Sequence, residues 1–351
     1  MRQKYEIVRD DDNKRLIIRE FAELDKDVMS LLCEETYDKK SIKSAMTLGR
    51  DALIAALRTK NLYPPGMYAG KIAQTVVELY GAKGKNAEEL VFDDMEFLAI
   101  GAAVLGAGGG GDPYLGKLMA KKAILEKGPV RLLEAEDIPD EELVIPSAMM
   151  GAPAAMLEKL PNGSEPEAAF RAVESFFSRK AYAVLPIEAG GLNSTIPVYT
   201  AARLGLPLID ADGMGRAFPE IPMVSFSIGG VSASPMVCCD EKGNKVVIDA
   251  VSNAWVETLS RTVTVAMGLA SMIGLYVMDG KKMKEFAIRG TISLAIEIGK
   301  RIIQGRQRKS SPVDSVLEVT HGLRLFEGKL TDVRRDLTTG FVRGQAVFEG
   351  I

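Results

Sequence analysis

The sequence predicts an α/β protein: a three-layer α/β/α core with a helical N-terminal extension and a β-rich C-terminal segment. Three observations carry this. Between residues 130 and 210 short apolar runs alternate with helical periodicity, the pattern of crossover connections and a largely parallel sheet covered on both faces. Residues 1–90 are mostly helical in pattern, and after Pro312 the chain returns to short β-type runs.

Taken in order, residues 4–20 read as a β-hairpin, with Tyr5–Val8 and Leu16–Ile18 flanking a turn at Asp10–Asn13. Asp25 can cap a helix through Tyr37. The next helix places Ile42, Met46, Leu53 and Leu57 on one face. After Pro64-Pro65 a third runs to Tyr80 and stops at Gly81. Ala82–Asn86 is a linker, so residues 1–90 form the first domain.

The core spans residues 91–311. A helix over Met95–Gly106 runs into four glycines, and Asp112-Pro113 opens a helix to Lys127. Strands are expected at Val130–Leu133, Leu143–Ser147, Tyr182–Ile187 and Pro207–Asp210, with helices at Glu165–Ser178 and Ser194–Leu204. Met223–Ala250 has short strands and a Gly243-Asn244 hairpin turn. Two long helices follow, Asn253–Met278 and Lys281–Gln307. The apolar stretch Thr262–Met278 is too short for a membrane span and reads as a buried helix. Residues 312–351 form a β-rich segment, with strands expected at Val316–Val319, Leu323–Phe326, Lys329–Val333 and Gly344–Phe348.

Composition narrows the chemistry. The chain has 351 residues, 34 of them Gly, with 3 Cys and one His. That excludes zinc fingers, Cys-x-x-Cys redox sites and multi-His metal sites. With 44 basic and 47 acidic residues the net charge is −3, which disfavours nucleic acid as partner. Three cysteines, two of them adjacent, give no disulfide framework, so a cytoplasmic location without membrane association is expected. Carboxylates, amides and glycines remain as the chemical equipment.

Three segments are candidates. Seven of the sixteen residues from Gly101 to Gly116 are glycine, and Gly108, Gly109, Gly110 and Gly111 can bring backbone amides against a bound anion. The loop lacks the Gly-x-Gly-x-x-Gly order and the P-loop Lys-Ser/Thr, so no nucleotide cofactor is expected; a tight structural turn is the alternative. At Pro186–Ser194 an apolar strand empties into Glu188, two glycines and Asn193, the strand-end position where open α/β sheets bind ligands. Asn193 and Ser194 can equally be helix N-caps. At Leu208–Glu220, Asp210 and Asp212 point the same way if the strand continues, which suits a divalent metal (zinc or another) or an acid/base pair, and Arg216 can grip an anion. An Asp–Arg salt bridge closing an Asp-Gly turn is the structural alternative. Met149–Pro153 ends a third strand and can bring Glu158 and Lys159 near. His321 on a β segment, Cys33, and Cys238-Cys239 on a strand read as structural residues.

The segments GAAVLGAGGGGDPYLG, PIEAGGLNSTIPVYTAARLGLPLIDADGMGRAFPE, AIRGTISLAIEIGKRI and LFEGKLTDVRRDLTTGF, in order from about Asp93 to Ile351, resemble the S-methyl thiohydantoin desulfurase-like family, often found beside hydantoinase/oxoprolinase proteins. The resemblance implies a three-layer α/β/α domain joined to a β-rich domain that continues past FVRGQAVFEG. It also implies metal-assisted removal of sulfur from thiohydantoin-type rings. Joined to that resemblance, the residues give an enzyme on a small (thio)hydantoin-like ring: Asp210 and Asp212 hold the metal, Glu188 is general base, Asn193 and the glycine-loop amides orient the ring, and Arg216 holds its anionic group. The alternative is a non-catalytic small-anion-binding or regulatory subunit of a hydantoinase/oxoprolinase-type system. The partners expected are the small molecule itself and further copies of the chain in a homo-oligomer.

Overall fold

The computed structural model describes residues 6–10, 15–19, 87–107, 109–152, 155–324, 326–336 and 343–350. The chain divides into two compact units, Met1–Glu89 with Arg131–Ile138, and Leu90–Val130 with Pro139–Ile351. In the smaller unit β1 (Glu6–Asp10) and β2 (Arg15–Arg19) pair antiparallel, with Val8 opposite Ile17, as the expected hairpin requires. It also holds most of the neighbouring strands β3 (Ala87–Leu90) and β4 (Val130–Leu133). The expected helices between residues 25 and 80, the 82–86 linker and Cys33 lie outside the described residues.

In the larger unit β5 (Leu143–Gly151) is central. Eight of its nine residues are buried, the near-continuous apolar run of a strand covered on both faces. One edge of β5 pairs in parallel with β6 (Ala183–Pro186), which pairs in parallel with β7 (Leu208–Ile209). The other edge pairs antiparallel with β11 (Ala270–Gly274), and next come β9 (Met236–Cys239) and β10 (Lys245–Ile248), also antiparallel. The sheet is therefore mixed and not largely parallel. The reason is local: β9 and β10 are joined by a tight turn at Asp240–Asn244, which only an antiparallel pair permits.

Side chains alternate across β11 and define the layers. Ala270 and Met272 pack with Leu192 and Ile196 of helix α5 (Gly191–Leu204), and Gly274 makes room for Val173 of α4 (Glu165–Phe177). On the opposite face the Ser271 hydroxyl meets Thr264 of α7 (Asn253–Ala266) at 2.8 Å. Helices thus cover both faces, the three-layer α/β/α arrangement. Outside α5 lie α1 (Asp94–Leu105), α2 (Tyr114–Lys127) and α9 (Thr291–Gln307).

Two expected long helices are each interrupted. The first ends at Ala266 because Gly268 and Leu269 take left-handed backbone (φ 89° and 68°) and drop the chain into β11. The apolarity of residues 270–274 belongs to a buried strand between β9 and β5. The second splits into α8 (Gly280–Phe286) and α9 around β13 (Ile288–Arg289), which pairs with β8 (Ala211–Asp212) before left-handed Gly290 turns the chain. Val316–Val319 is helical, within α10 (Pro312–Thr320). The capping hydroxyl of Ser311 and Pro312 at the first position override its β-branched residues. His321 closes that helix in a left-handed conformation and is exposed, so it lies on no strand. The described residues of 323–326 form no strand either, whereas β14 (Gly328–Asp336) and β15 (Arg343–Gly350) pair as expected. Among the described residues no helix is long and apolar enough to cross a membrane.

Glycine sets the approach of α1 to α9. A Cβ on Gly101 would sit 1.7 Å from the Ala295 carbonyl oxygen, and one on Gly299 2.0 Å from that of Phe97. Alanine normally gains about 1 kcal/mol over glycine inside a helix. Here Gly101→Ala and Gly299→Ala are each expected to lose about 1–3 kcal/mol by overpacking. Gly109→Ala, with nothing within 4 Å of its Cβ, should be neutral. Chemical denaturation of the three variants checks this.

Candidate active site

Three acids stand at the ends of β6, β7 and β8, and each has a different environment. Asp210 follows β7. Its Oδ1 accepts from the Ile292 and Ser293 amides at 2.9 and 3.0 Å, and its Oδ2 from the Ser293 hydroxyl at 2.5 Å. It therefore caps the first turn of α9, where two otherwise orphan amides and the positive end of the helix dipole favour a carboxylate.

Asp212, at the end of β8, is fully buried. Its Oδ1 accepts from the Met214 and Gly215 amides at 2.6 and 2.5 Å, closing the turn that Gly215 makes with φ 73°. Its Oδ2 and the buried hydroxyl of Thr291 meet no partner at good hydrogen-bond geometry, although the Thr291 hydroxyl lies near enough to act on the Asp212 charge. Burial pushes the Asp212 carboxyl up to about 6, against the downward pull of the Gly215 and Met214 amides and the Thr291 hydroxyl, with Asp210 adding to the rise.

Glu188 lies in the four-residue link between β6 and α5. Oε1 accepts from Asn193 Nδ2 and Oε2 from the Phe218 amide, both at 2.7 Å. Burial pushes this carboxyl up to about 7. The Asn193 and Phe218 bonds pull it down without offsetting that, and nearby Asp212 raises it further. Glu188 keeps 6% of its surface open where Asp212 keeps none, so of these two Glu188 can meet a ligand.

Asn193 is not a helix cap. The helix α5 begins at Gly191, with Gly190 in the cap position, so Asn193 and Ser194 both lie in its first turn. Asn193 Oδ1 accepts from the Met149 amide at 2.7 Å. Its Nδ2 donates to the Met149 carbonyl at 3.1 Å and to Glu188, so both amide hydrogens are engaged and neither is left for a ring.

Arg216 is exposed, donates to the Ala217 carbonyl at 2.8 Å, and pairs with neither aspartate, so the Asp–Arg turn closure is absent. It lies two residues before the Phe218 amide that holds Glu188. Lys159 bonds the Met267 and Ala270 carbonyls and Glu241 and belongs to the end of α7. Cys238 and Cys239 are buried on β9, and burial pushes their thiols up to about 12 and 11, which makes them inert at neutral pH.

The glycine loop packs against the start of α5. A Cβ on Gly110 would sit 2.8 Å from the Gly191 nitrogen, one on Gly191 2.0 Å from the Gly111 carbonyl oxygen, and the Leu192 amide donates to the Gly110 carbonyl at 3.0 Å. Gly110 and Gly111 thus serve a backbone contact, the structural alternative. Gly109 and Gly111 border an open depression with Ala103, Gly106, Ala107, Asp112 and Pro113, and Gly108 lies outside the described residues. Asp112 accepts from the Tyr114 amide at 2.9 Å in the turn ahead of α2, but the cap position falls on Pro113 and the helix starts one residue later than the sequence predicts.

A resident divalent metal, implied by the family resemblance, requires converging ligands. Both oxygens of Asp210 are engaged by α9, and Asp212 contributes one free oxygen. Among the described residues no three His, Cys, Asp or Glu side chains could hold a metal. Asp210 and Asp212 therefore do not fit as a ligand pair, and no step below runs through a metal.

Fold and site together define an α/β protein with a group of buried carboxyls at its strand ends. Residues 93–250 match the S-Me-THD-like N-terminal domain and residues 251–351 the S-Me-THD-like C-terminal domain, and the chain belongs to this thiohydantoin-related family. A solved crystal structure of a protein from Chromobacterium violaceum shares the fold at 27% identity and a TM-score of 0.62, over 70% of this chain and 70% of that one. No curated protein matches.

The raised carboxyls make stability depend on pH. A carboxyl whose folded value lies above its unfolded one holds its proton more tightly when folded. Its ionisation therefore destabilises the fold as pH rises from about 4.5 to 7, and the effect is flat above that. For Glu188 the loss is on the order of 3 kcal/mol. Glu188→Gln places an amide group against a donor, a pH-independent cost, but it should abolish this part of the slope. Urea unfolding of both proteins at pH 5 and pH 8 measures the difference. Parallel slopes would contradict the assignment.

Proposed function

We propose that this chain is an enzyme that hydrolyses or desulfurises a small thiohydantoin- or hydantoin-like ring, with Glu188 as general acid and base. The observation that carries the reading is the Glu188 carboxyl itself. It is buried at a strand end, holds a value near neutral pH, and keeps part of its surface open where the other raised carboxyl, Asp212, keeps none. Membership of the thiohydantoin-related family supports the ring class.

In the reaction the ionised Glu188 takes a proton from water as the water oxygen bonds the ring C=S carbon. The carbon–sulfur bond then breaks, Glu188 returns that proton to the departing sulfur, and the new hydroxyl gives up the second water proton, to the hydrosulfide or, in an S-alkylated ring, to the ring nitrogen, as the carbonyl forms. The products are the ring carbonyl and hydrogen sulfide, or a thiol where the sulfur carries an alkyl group. A hydantoin would undergo ring opening through the same two proton transfers. Arg216, exposed on the loop that reaches Glu188 through Phe218, holds an anionic group on the ring.

A panel of hydantoins and thiohydantoins tests this. Turnover should persist after chelation and fall about 10²–10⁴-fold in Glu188→Gln. Arg216→Gln should raise KM about 10-fold or more for rings bearing a carboxylate and leave neutral rings unchanged. Binding with no turnover would favour a non-catalytic binder, and activity lost on chelation would sink the metal-free mechanism.

A further inference from the structure

Strand β6 is registered with β5 only as far as Pro186, opposite Ser147, whereas β5 runs on to Gly151. Backbone groups of alternate residues face the same edge of a strand. Met149, two residues past Ser147, therefore turns its N–H and C=O to the side that β6 has left. Two buried backbone groups there would be orphaned. The Asn193 side chain replaces the missing strand: its amide accepts from the Met149 N–H and donates to the Met149 carbonyl, as a paired residue would. The second Nδ2 hydrogen then has one direction left, and it reaches Glu188 Oε1.

We propose that Asn193 is a positioning residue: clamped to the backbone of Met149, its side-chain amide fixes the orientation of the Glu188 carboxyl and touches no substrate. This rests on the functional reading of Glu188 above and replaces the expectation that Asn193 orients the ring. The central sheet would thereby set the aim of the acid through one rigid amide. The groups facing that carboxyl are Asn193, the Phe218 amide and Asp212, and the loss of one donated bond should move its titration upward.

Two measurements test it. In wild-type protein with ¹⁵N-labelled asparagine, the Asn193 side-chain signal should follow a titration near pH 7 that is absent in Glu188→Gln. A signal indifferent to pH between 5 and 9 would overturn the proposal. This arm needs neither turnover nor an Asn193 variant, so it stands or falls apart from the proposed activity. In Asn193→Ala the kcat should fall at least 10-fold with KM within about 3-fold, and the acid limb of the pH profile should rise by about one unit. A raised KM with unchanged kcat would instead show ring contact. A lower Tm with an unmoved pH profile would show a merely structural role. Either result overturns the proposal, and if the variant does not fold, the wild-type titration decides.

Discussion

The contact of backbone with backbone between Gly106, Gly110 and Gly111 on one side and Gly190–Gly191 on the other governs the site. Helix α5 is buried through its first twelve residues, so its position is dictated by what surrounds it, and at its start that is bare peptide. The Gly110 carbonyl takes one of the four amides a helix leaves unsatisfied at its N-terminus, and no side chain intervenes. Glu188 lies between the end of β6 and this anchored turn, a link too short to wander. A methyl group at Gly110 or Gly191 would displace the helix start, and with it Asn193 and the acid that Asn193 holds.

Burial alone does not mark the site. Glu174 shows as little surface as Glu188 but sits at a shallower depth beside the half-exposed Arg171 and the exposed Lys180, and burial raises its carboxyl as well. Yet Arg171, the Ala181 amide and Lys180 more than offset this and hold it below the usual carboxylate range. Glu188 and Asp212 receive only amide and hydroxyl dipoles, and for both the loss of water prevails. The same fold thus treats two buried glutamates in opposite ways. The glutamate without a cation is the one at the sheet edge where ligands bind in open α/β folds.

Much of the fold was legible because its signals are local. The hairpin, the strands flanking α4 and α5, the β9–β10 turn and the closing hairpin follow from apolar alternation and turn residues. Failures came where tertiary context overrode local pattern. Residues 270–274 look like the continuation of a helix because a strand buried on both faces has no periodicity to show. Val316–Val319 look like a strand until the Ser311-Pro312 start is weighed. Glu188 was identifiable as an acid after an apolar run. The capping role of Asp210 is not legible, because its partners, Ile292 and Ser293, lie some eighty residues away.

The two aspartates show what spacing leaves unsettled. Asp210 and Asp212 share a parity that suits a common ligand, but the extended conformation this requires is interrupted between β7 and β8. One acid turns to the N-terminus of α9, the other to its own loop. Each stabilises backbone that would otherwise lack partners. The glycines hold the walls in the same way. The architecture therefore uses most of the conspicuous residues as structure and leaves one carboxyl near neutral pH with part of its surface open, in an environment set by an asparagine completing a β-ladder.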